Sequence, residues 1–482
     1  MTLDRHRRKT LARYLFLLTL LFSSPDPAAA LTGHKSVDDS IRPLVIDRIT
    51  VEGNKQTRSR IILRELPFRE KDTIPLNAIA PMLRKGRENV FNTRLFNFVT
   101  IDTSMVEGEP PRVDVHIHVI ERWYIWPWPY FEISDRNFNS WVQSMDFSRL
   151  TYGINLTLYN VRGRNETLLI PIHFGFNQKY CFAYKIPYIN KKQTIGLGFG
   201  GAYDLNHEVV VGSVDNKPVW YKDPDDFPRQ DVFGYAEMLV RPTFYANHTI
   251  RFVYQHYFFS DSLRKIPGYV PDSLSETGFF SLYYQYKNDH RDFHFYTLKG
   301  YYFDFELINE GFFTEPVNNF YIKSTFRKYW HIFNRWYIAT GLFGKVTLTK
   351  DQPYFLQRGL GYGREYVRGY EYYVVDGQHY ALWKNNVKFA ILPQRVFKIG
   401  FLSSTKFNTV PYALYLNVFT DLGYVYNRDE HANRYNDLQN SLLVGYGAGF
   451  DFTTYYDVVV RLEFSMNGMG IRGIYLHFMA PI

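Results

Sequence analysis

The sequence predicts a mainly β protein, in which one small α+β domain precedes a transmembrane antiparallel β-barrel of sixteen strands. Three observations lead to this fold class. Aromatic residues make up 18% of the 482 residues, yet the mean hydropathy is −0.29. No stretch after residue 30 runs about 18 apolar residues without a charge, which excludes a helical membrane protein. Short segments of alternating polarity fill the chain after residue 122, as in barrels with a lipid-facing outside and a polar inside.

Residues 1–30 have the pattern of a signal peptide. A basic segment, an apolar run over residues 11–22 and the small residues Ala28-Ala29-Ala30 follow one another. The apolar run is too short to span a bilayer, so the pattern predicts export. Residues 31–43 are predicted to form a linker.

Residues 44–121 are predicted to form a separate domain with the element order βααββ. The predicted elements are a strand over residues 44–51, helices over residues 57–66 and 76–91, and strands over residues 98–103 and 113–120. His116 and His118 share a strand face, but no third ligand accompanies them, so the sequence predicts no metal site.

Residues 122–482 are predicted to form the barrel. The segment 458–465 alternates between two sets of side chains, which are Val458, Val460, Leu462 and Phe464 against Val459, Arg461, Glu463 and Ser465. A soluble sandwich has the same period, but a uniformly apolar face opposite Arg461 and Glu463 favours lipid on one side and water on the other. Short turns alternate with long polar loops, and the count closes at sixteen with strands at residues 128–136 and 472–480. The stretch 393–410 must then be a connection.

Two short motifs link a loop to a strand. Val367-Arg368-Gly369-Tyr370 lies in a Gly- and Tyr-rich loop over about residues 350–378, whereas residues 419–423, Phe-Thr-Asp-Leu-Gly, lie in an alternating strand. One face of that strand is purely aliphatic and must contact lipid. Asp421 lies on the other face and therefore points into the lumen, which agrees with the high cost of placing an aspartate in lipid. An arginine on a loop meets a carboxylate on a strand wall only if the loop folds back into the enclosed space. The sequence therefore predicts a barrel that holds its own loop.

These motifs carry a resemblance to a known family. The βααββ order, the phrases Val51-Glu52-Gly53-Asn54 and Thr93-Arg94-Leu95-Phe96-Asn97-Phe98-Val99, and the two barrel motifs resemble the BamA/TamA outer-membrane superfamily, also called the bacterial surface antigen family. The chain is similar to a short form of that family with a single POTRA domain before the barrel. The resemblance implies that a sixth loop is locked inside the lumen by Val367, Arg368, Gly369, Tyr370, Asp421 and Gly423, with Arg368 hydrogen-bonded to Asp421.

The resemblance also implies a function without catalytic residues, metal, ATP or cofactor. Members insert β-barrel proteins through a weak lateral seam between the first and last strands. In this sequence the seam residues are Tyr130, Phe131 and Ile133 on the first strand and Ile474, Leu476 and Phe478 on the last. The exposed POTRA edge strand, with Phe98, Val99, Thr100 and Ile101, is expected to pair with a partner or client. The alternative is a polypeptide transporter or channel of the two-partner secretion type.

The expected partners follow from both of these functions. They are the outer-membrane bilayer, unfolded β-barrel clients or a secreted polypeptide, and periplasmic or lipoprotein accessory subunits. The net charge of +9 is spread along the chain, so it does not indicate nucleic acid. General assembly proteins of the family usually carry several POTRA domains, and the secretion pores carry two with a plug helix. A single copy favours a specialised, non-enzymatic assembly or translocation factor in the outer membrane, with its POTRA domain in the periplasm.

Overall fold

The computed structural model describes residues 43–133, 147–223, 225–270, 274–312, 317–350, 352–404, 406–428 and 435–478. The predicted signal peptide and the first twelve residues of the predicted linker lie outside the described residues, as does the end of the predicted first barrel strand after Ile133. In the described ranges, no helix is both long and apolar enough to cross a membrane.

The N-terminal domain is a four-stranded sheet covered by two helices. Its elements are β1 (Pro43–Glu52), α1 (Ser59–Leu63), β2 (Thr73–Pro75), α2 (Leu76–Asn92), β3 (Phe96–Val106) and β4 (Arg112–Glu121). The strand order is β2-β1-β4-β3, with β1 and β4 parallel and the other pairs antiparallel. The predicted order βααββ thus gains one short strand, β2, which is too brief to show an alternating pattern.

The domain core follows from the alternation of β4. Val113, Val115, Ile117 and Val119 are buried on one face of that strand. Ile61 and Ile62 of α1 and Val90 of α2 pack in the same cluster, together with Leu44 and Ile46 of β1. This burial stabilises the domain mainly through the hydrophobic effect, at about 1.5–3 kcal/mol for each large aliphatic side chain.

The barrel is one antiparallel sheet of sixteen strands, so the predicted fold class is confirmed. Its strands, in spatial order, are β5 (Ile125–Ile133), β6 (Leu150–Val161), β7 (Glu166–Gly175), β8 (Gln178–Ile186), β9 (Ile195–Asn206), β12 (Arg229–Val240), β13 (Ala246–Phe259), β14 (Glu276–Asp289), β15 (Gly300–Glu310), β16 (Asn319–Phe333), β17 (Trp336–Thr347), β18 (His379–Lys398), β19 (Thr409–Tyr426), β20 (Leu442–Thr453), β21 (Val459–Asn467) and β22 (Arg472–His477). Strands β10 (Glu208–Val214) and β11 (Lys217–Lys222) form a separate hairpin inside a loop. A short helix, α3 (Asp261–Arg264), lies in the next loop.

The two faces of the barrel wall differ as a membrane barrel requires. On β19, Asn417, Phe419 and Asp421 are almost fully buried, whereas Val418 between them is 50% exposed. Exposed aromatic and aliphatic side chains recur at alternate positions on neighbouring strands, for example Tyr446 and Phe450 on β20. An apolar outer face and a polar inner face fit lipid outside and a filled lumen inside.

Two predicted boundaries were wrong. The first barrel strand begins at Ile125, three residues before the predicted start. It does so although Pro127 and Pro129 have no backbone N–H to donate to the ladder. The predicted connection over residues 393–410 is too long, because β18 and β19 pair out to Lys398 and Thr409 and leave only residues 399–408 between them. This stretch of β18 is exposed on both faces and contains irregular pairing near Leu392, so it lacks the alternation that marks a membrane strand.

The N-terminal domain defines the two ends of the barrel. We call the end that carries this domain the domain end, and the opposite end, with the β10–β11 hairpin, the loop end. The connection between β17 and β18, residues 348–378, is the sixth connection at the loop end and is called the sixth loop.

Candidate functional site

The sixth loop is buried against the inner wall of the barrel. Val367, Arg368 and Tyr370 are at most 4% exposed, and Val367 and Tyr370 pack with Leu360, Val425 and Leu443. Gly369 has a φ of +92°, a left-handed conformation that glycine adopts at little cost. The loop backbone can therefore bend sharply where it meets the wall.

Arg368 and Asp421 form a bidentate ion pair inside the lumen. Arg368 Nε donates to Asp421 Oδ2 at 2.8 Å, and Nη2 donates to Oδ1 at 2.5 Å. The backbone N–H of Arg368 adds a third bond to Oδ2 at 3.1 Å. The guanidinium carbon lies 3.8 Å from the ring centroid of Phe419, and both charged side chains are 0% exposed. Such a pair fixes position and orientation, since two parallel bonds allow only one geometry.

Two glycines make room for the loop on the wall. A Cβ at Gly423 on β19 would lie 2.4 Å from Val367 Cγ2, and one at Gly445 on β20 would lie 1.8 Å from the carbonyl oxygen of Arg368. Both distances are far below van der Waals contact. The sequence motif pointed to Gly423, but Gly445 was missed because it lies in a different strand and carries no motif.

Further charges surround the pair on neighbouring strands. Lys384 Nζ of β18 lies 3.9 Å from Asp421 Oδ2, too far for a hydrogen bond. On β20 and β21, Asp451 accepts from Arg461 Nε at 2.5 Å and from Nη2 at 2.7 Å, with both side chains 0% exposed. The sequence showed that Arg461 faces inward, but Lys384 and Asp451 were missed, because cross-strand neighbours are unknown before the register is known.

The predicted edge strand of the N-terminal domain lies at the edge of its sheet. Strand β3 pairs only with β4 in the described chain. Val99 is buried, Phe98 and Ile101 are half-buried, and Thr100 is exposed. Phe98 and Val99 line a cavity of about 180 Å³ between this domain and the barrel.

The predicted seam residues lie on the two terminal strands of the barrel sheet. Among the described residues, no ladder joins β5 to β22. Phe131, Ile474, Leu476 and Phe478 are each more than half exposed, and Phe478 directly follows β22. Tyr130 instead points inward, with its ring stacked 3.8 Å from that of His173. The backbone of Ile133 pairs with Leu150, and its side chain lies outside the described part of the structure.

Residues 44–122 match the family model described as POTRA, surface antigen variable number repeat. These residues are a POTRA domain. No curated protein sequence matches the chain.

Solved structures resemble the whole chain, POTRA domain and barrel together. CdiB from Escherichia coli matches with a TM-score of 0.50 at 12% identity, covering 90% of this chain and 75% of CdiB. BamA from Haemophilus ducreyi lacking POTRA domains 1–3 has a TM-score of 0.49 at 14% identity, covering 90% and 83% of the two chains. CdiB from Acinetobacter baumannii has a TM-score of 0.45 at 13% identity, covering 88% and 70%. The likeness to CdiB from Escherichia coli and the POTRA match together support a POTRA-plus-barrel fold for this chain.

The POTRA domain is docked on the domain end of the barrel. It forms hydrogen bonds to six of the turns there. They join Arg58 N to Gly163 O at 3.0 Å, Arg64 Nε to Gln193 O at 2.7 Å, Arg241 Nη1 to Glu65 Oε1 at 2.7 Å, Asn92 Nδ2 to Asp292 O at 2.8 Å, Asn97 Nδ2 to Lys406 O at 3.0 Å, and Arg122 Nη1 to Asp457 Oδ2 at 2.8 Å. The domain thus covers the mouth of the lumen at this end, and Asn97 ties the start of β3 to the barrel.

A histidine at this interface has a pKa that depends on burial. His294, in the turn between β14 and β15, donates its backbone N–H to Asn92 Oδ1 of the POTRA domain at 3.2 Å. Burial lowers the pKa of His294 to about 3, although the nearby Asp289 carboxylate partly opposes that shift. The docked arrangement therefore favours the neutral imidazole.

Proposed function

We propose that this protein is an outer-membrane assembly factor that inserts β-barrel proteins through the seam between β5 and β22, with its POTRA domain in the periplasm. The observation that carries the proposal is the pair of terminal strands, which no described ladder joins and which present exposed apolar side chains. An unpaired backbone group in lipid costs several kcal/mol, so a strand edge in the membrane favours pairing with an incoming strand. The process needs no ATP or cofactor.

The length of the last strand also supports insertion at the seam. A membrane-crossing β-strand needs about 9–11 tilted residues. Strand β22 has 6 residues within the described range, which ends at Phe478, whereas β18 and β19, which precede it in the barrel, have 20 and 18. A short wall at the seam would thin the bilayer locally, which lowers the barrier to inserting a new strand.

The sixth loop gives the wall a fixed point beside this seam. The Arg368–Asp421 pair holds the loop to β19, and the same loop reaches β22, where the ring centroids of Tyr372 and Tyr475 lie 5.6 Å apart. A wall held rigid at β19 would confine opening to the terminal strands. In this proposal Val367, Arg368, Gly369, Tyr370, Asp421 and Gly423 lock the loop and have no chemical role.

The POTRA domain would receive the client or an accessory subunit. Strand β3 has one unpaired edge in the described structure, and its outer half is exposed from Asp102 to Met105. An extended peptide can add to such an edge through backbone hydrogen bonds. Phe98 and Val99 line the cavity beside the barrel, so a peptide bound along β3, which also carries Thr100 and Ile101, would be delivered towards the membrane.

A polypeptide transporter of the two-partner secretion type is the second candidate. One observation favours it, a luminal cavity of about 570 Å³ whose lining includes Asp304, Glu306, Lys323 and Arg327. A polar cavity of this kind suits a chain passing through the lumen. Transport along that route would require both the sixth loop and the docked POTRA domain to move.

A folding assay in liposomes tests the proposal. The mature protein is reconstituted, a urea-unfolded small outer-membrane barrel is added, and the appearance of its heat-modifiable form is timed. We expect faster folding than in empty liposomes. A matched control carries Phe131→Cys and Ile474→Cys in a Cys181→Ser background, with the two new thiols joined by a flexible cross-linker, and we expect it to lose the acceleration.

The opposite result would favour the transporter. If neither protein accelerates folding, while release of the sixth loop by Arg368→Ala opens an ion-conducting path, the insertase proposal is wrong. Equal acceleration by the cross-linked and free proteins would also contradict it, because the seam would then have no part in insertion.

A further inference from the structure

Three side chains from different elements converge where the sixth loop meets the last strands. They are Glu371 of the loop, Glu463 of β21 and His477 of β22, and one ligand atom of each lies within 4.8 Å of the other two. Residues 371 and 477 are more than a hundred positions apart, so no sequence motif marks this cluster. Two carboxylates and an imidazole are common ligands of divalent transition metals.

One oxygen of each carboxylate has a protein partner and the other has none, and Glu463 Oε1 lies 3.2 Å from His477 Nε2. Glu371 Oε2 accepts from the backbone N–H of Gly369 at 2.8 Å, which leaves Oε1 directed at His477 Nε2, 3.9 Å away. Glu371 Oε1 and Glu463 Oε2 are buried and have no hydrogen-bond partner among the described residues. Glu463 is fully buried, so its unpaired oxygen has a substantial desolvation cost.

The arginine beside Glu463, Arg461, already forms an ion pair with Asp451. Arg461 Nη1 lies 3.9 Å from Glu463 Oε2, beyond hydrogen-bond distance. The same guanidinium donates two short bonds to Asp451. The fully buried Glu463 and the partly buried Glu371 therefore face each other with His477 as their nearest compensating group, and a bound cation would neutralise both carboxylates.

The imidazole is held in a ligand orientation. The Nδ1 atom of His477 lies 3.5 Å from the hydroxyl of Tyr366, and the two rings stack at 6.0 Å. A contact on Nδ1 is the usual outer contact of a metal-binding histidine, because it orients the ring. The other ring nitrogen, Nε2, lies 3.2 Å from Glu463 Oε1, and a bound ion would replace this hydrogen bond. The 570 Å³ luminal cavity reaches Tyr366 and His477, so an ion has a path to the cluster.

We propose that Glu371, Glu463 and His477 bind a divalent transition-metal ion of the Zn²⁺ class. Three protein ligands leave one coordination position for water. The ion ties the sixth loop to β21 and β22, next to the seam. Metal binding stands independently of the proposed function, whereas its effect on insertion, a slower opening of the seam, rests on that function.

The first test measures metal content. Tag-free protein is purified in detergent, stripped with a chelator, incubated with Zn²⁺ and desalted, and the bound zinc is determined by elemental analysis. We expect one equivalent per chain, lost in Glu371→Gln and His477→Gln. The matched control His256→Gln removes a histidine that pairs with a single carboxylate, Glu276 at 3.3 Å, and should retain the zinc.

Folding of each variant is checked by heat-modified gel mobility. Glu371 lies in the loop and outside every barrel ladder, so Glu371→Gln keeps the sheet intact and remains informative if His477→Gln fails to fold. Less than a tenth of an equivalent in the wild type, or full retention in Glu371→Gln, would overturn the proposal. In that case His477 bridges the two carboxylates as an imidazolium.

The results of the metal test and of the insertion test are independent of each other. Stoichiometric zinc with no acceleration of client folding supports the site and rejects the proposed function. If both hold, zinc should slow client folding several-fold in the wild type and leave Glu371→Gln unchanged. Equal rates with and without zinc in the wild type would reject the role at the seam.

Discussion

Replacing Arg368 with alanine tests the seating of the sixth loop most sharply. The substitution removes two charge-assisted bonds to Asp421 and the contact with Phe419, while the carboxylate stays buried. Breaking a buried ion pair by removing one partner costs about 3–5 kcal/mol. The remaining backbone bond to Asp421 and Lys384 at 3.9 Å offset part of that, so we expect about 3 kcal/mol. This shifts the equilibrium between seated and released loop by roughly 100-fold.

Two readouts detect this change. In urea titrations followed by heat-modified gel mobility, Arg368→Ala should unfold at a clearly lower urea concentration than the wild type. Limited proteolysis should cut the sixth loop of the variant and spare that of the wild type. Arg364→Ala is the matched control, because Arg364 lies in the same loop and is exposed.

A double-mutant cycle separates the ion pair from general damage. Asp421→Ala alone leaves Arg368 buried without its carboxylate, whereas the double variant removes both charges together. The double variant should therefore lose much less stability than the sum of the two single losses. Additive losses, or an unchanged proteolysis pattern in Arg368→Ala, would refute the role of this ion pair in seating the loop.

Three further predictions concern packing, docking and pH. Gly423→Ala should destabilise the seated loop by about 1–3 kcal/mol in the same urea assay, because its Cβ overlaps Val367, and Val367→Ala in the same chain should restore the loss. Arg241→Ala leaves the buried Glu65 with fewer partners, so spin-label distances between POTRA domain and barrel should broaden, whereas Arg335→Ala at an uninvolved turn should not change them. A depressed pKa of His294 means that protonation favours the undocked state, so docking should be complete above about pH 6.5 and weaken as the pH falls towards 3. His294→Asn should flatten that profile, and an unchanged slope would show that another group controls it.

The barrel was predictable because polar and apolar side chains alternate along its strands. Lipid outside and water inside impose alternation on every strand, so the sequence around Val418 and Asp421 shows which side chains face inward. The same reasoning failed between Pro393 and Val410, where the ladder extends beyond the alternating region and both faces are exposed. Alternation of polar and apolar residues indicates a strand with lipid on one face and water on the other. A strand with water on both faces has no such pattern.

Contacts between distant elements were the part that could not be predicted. Gly445 and Lys384 come next to the sixth loop only once the strand register is known. The charged residues Glu65 and Arg241 look like ordinary surface residues in the sequence, yet they form a bidentate pair between POTRA domain and barrel. The sequence predicted no metal site because the proposed zinc ligands come from a loop and two strands with no shared motif.

In the proposed mechanism, a client enters the protein at the seam between β5 and β22. A photo-activated cross-linking residue placed at Phe131 or Ile474, both exposed on the terminal strands, tests this directly during client folding. Matched positions are Trp330 on β16, which faces outward on the opposite wall, and Lys323 on the same strand, which lines the lumen. We expect client adducts at the two seam positions and none at the two controls. Adducts at Lys323 with none at the seam would contradict this mechanism and indicate passage through the lumen.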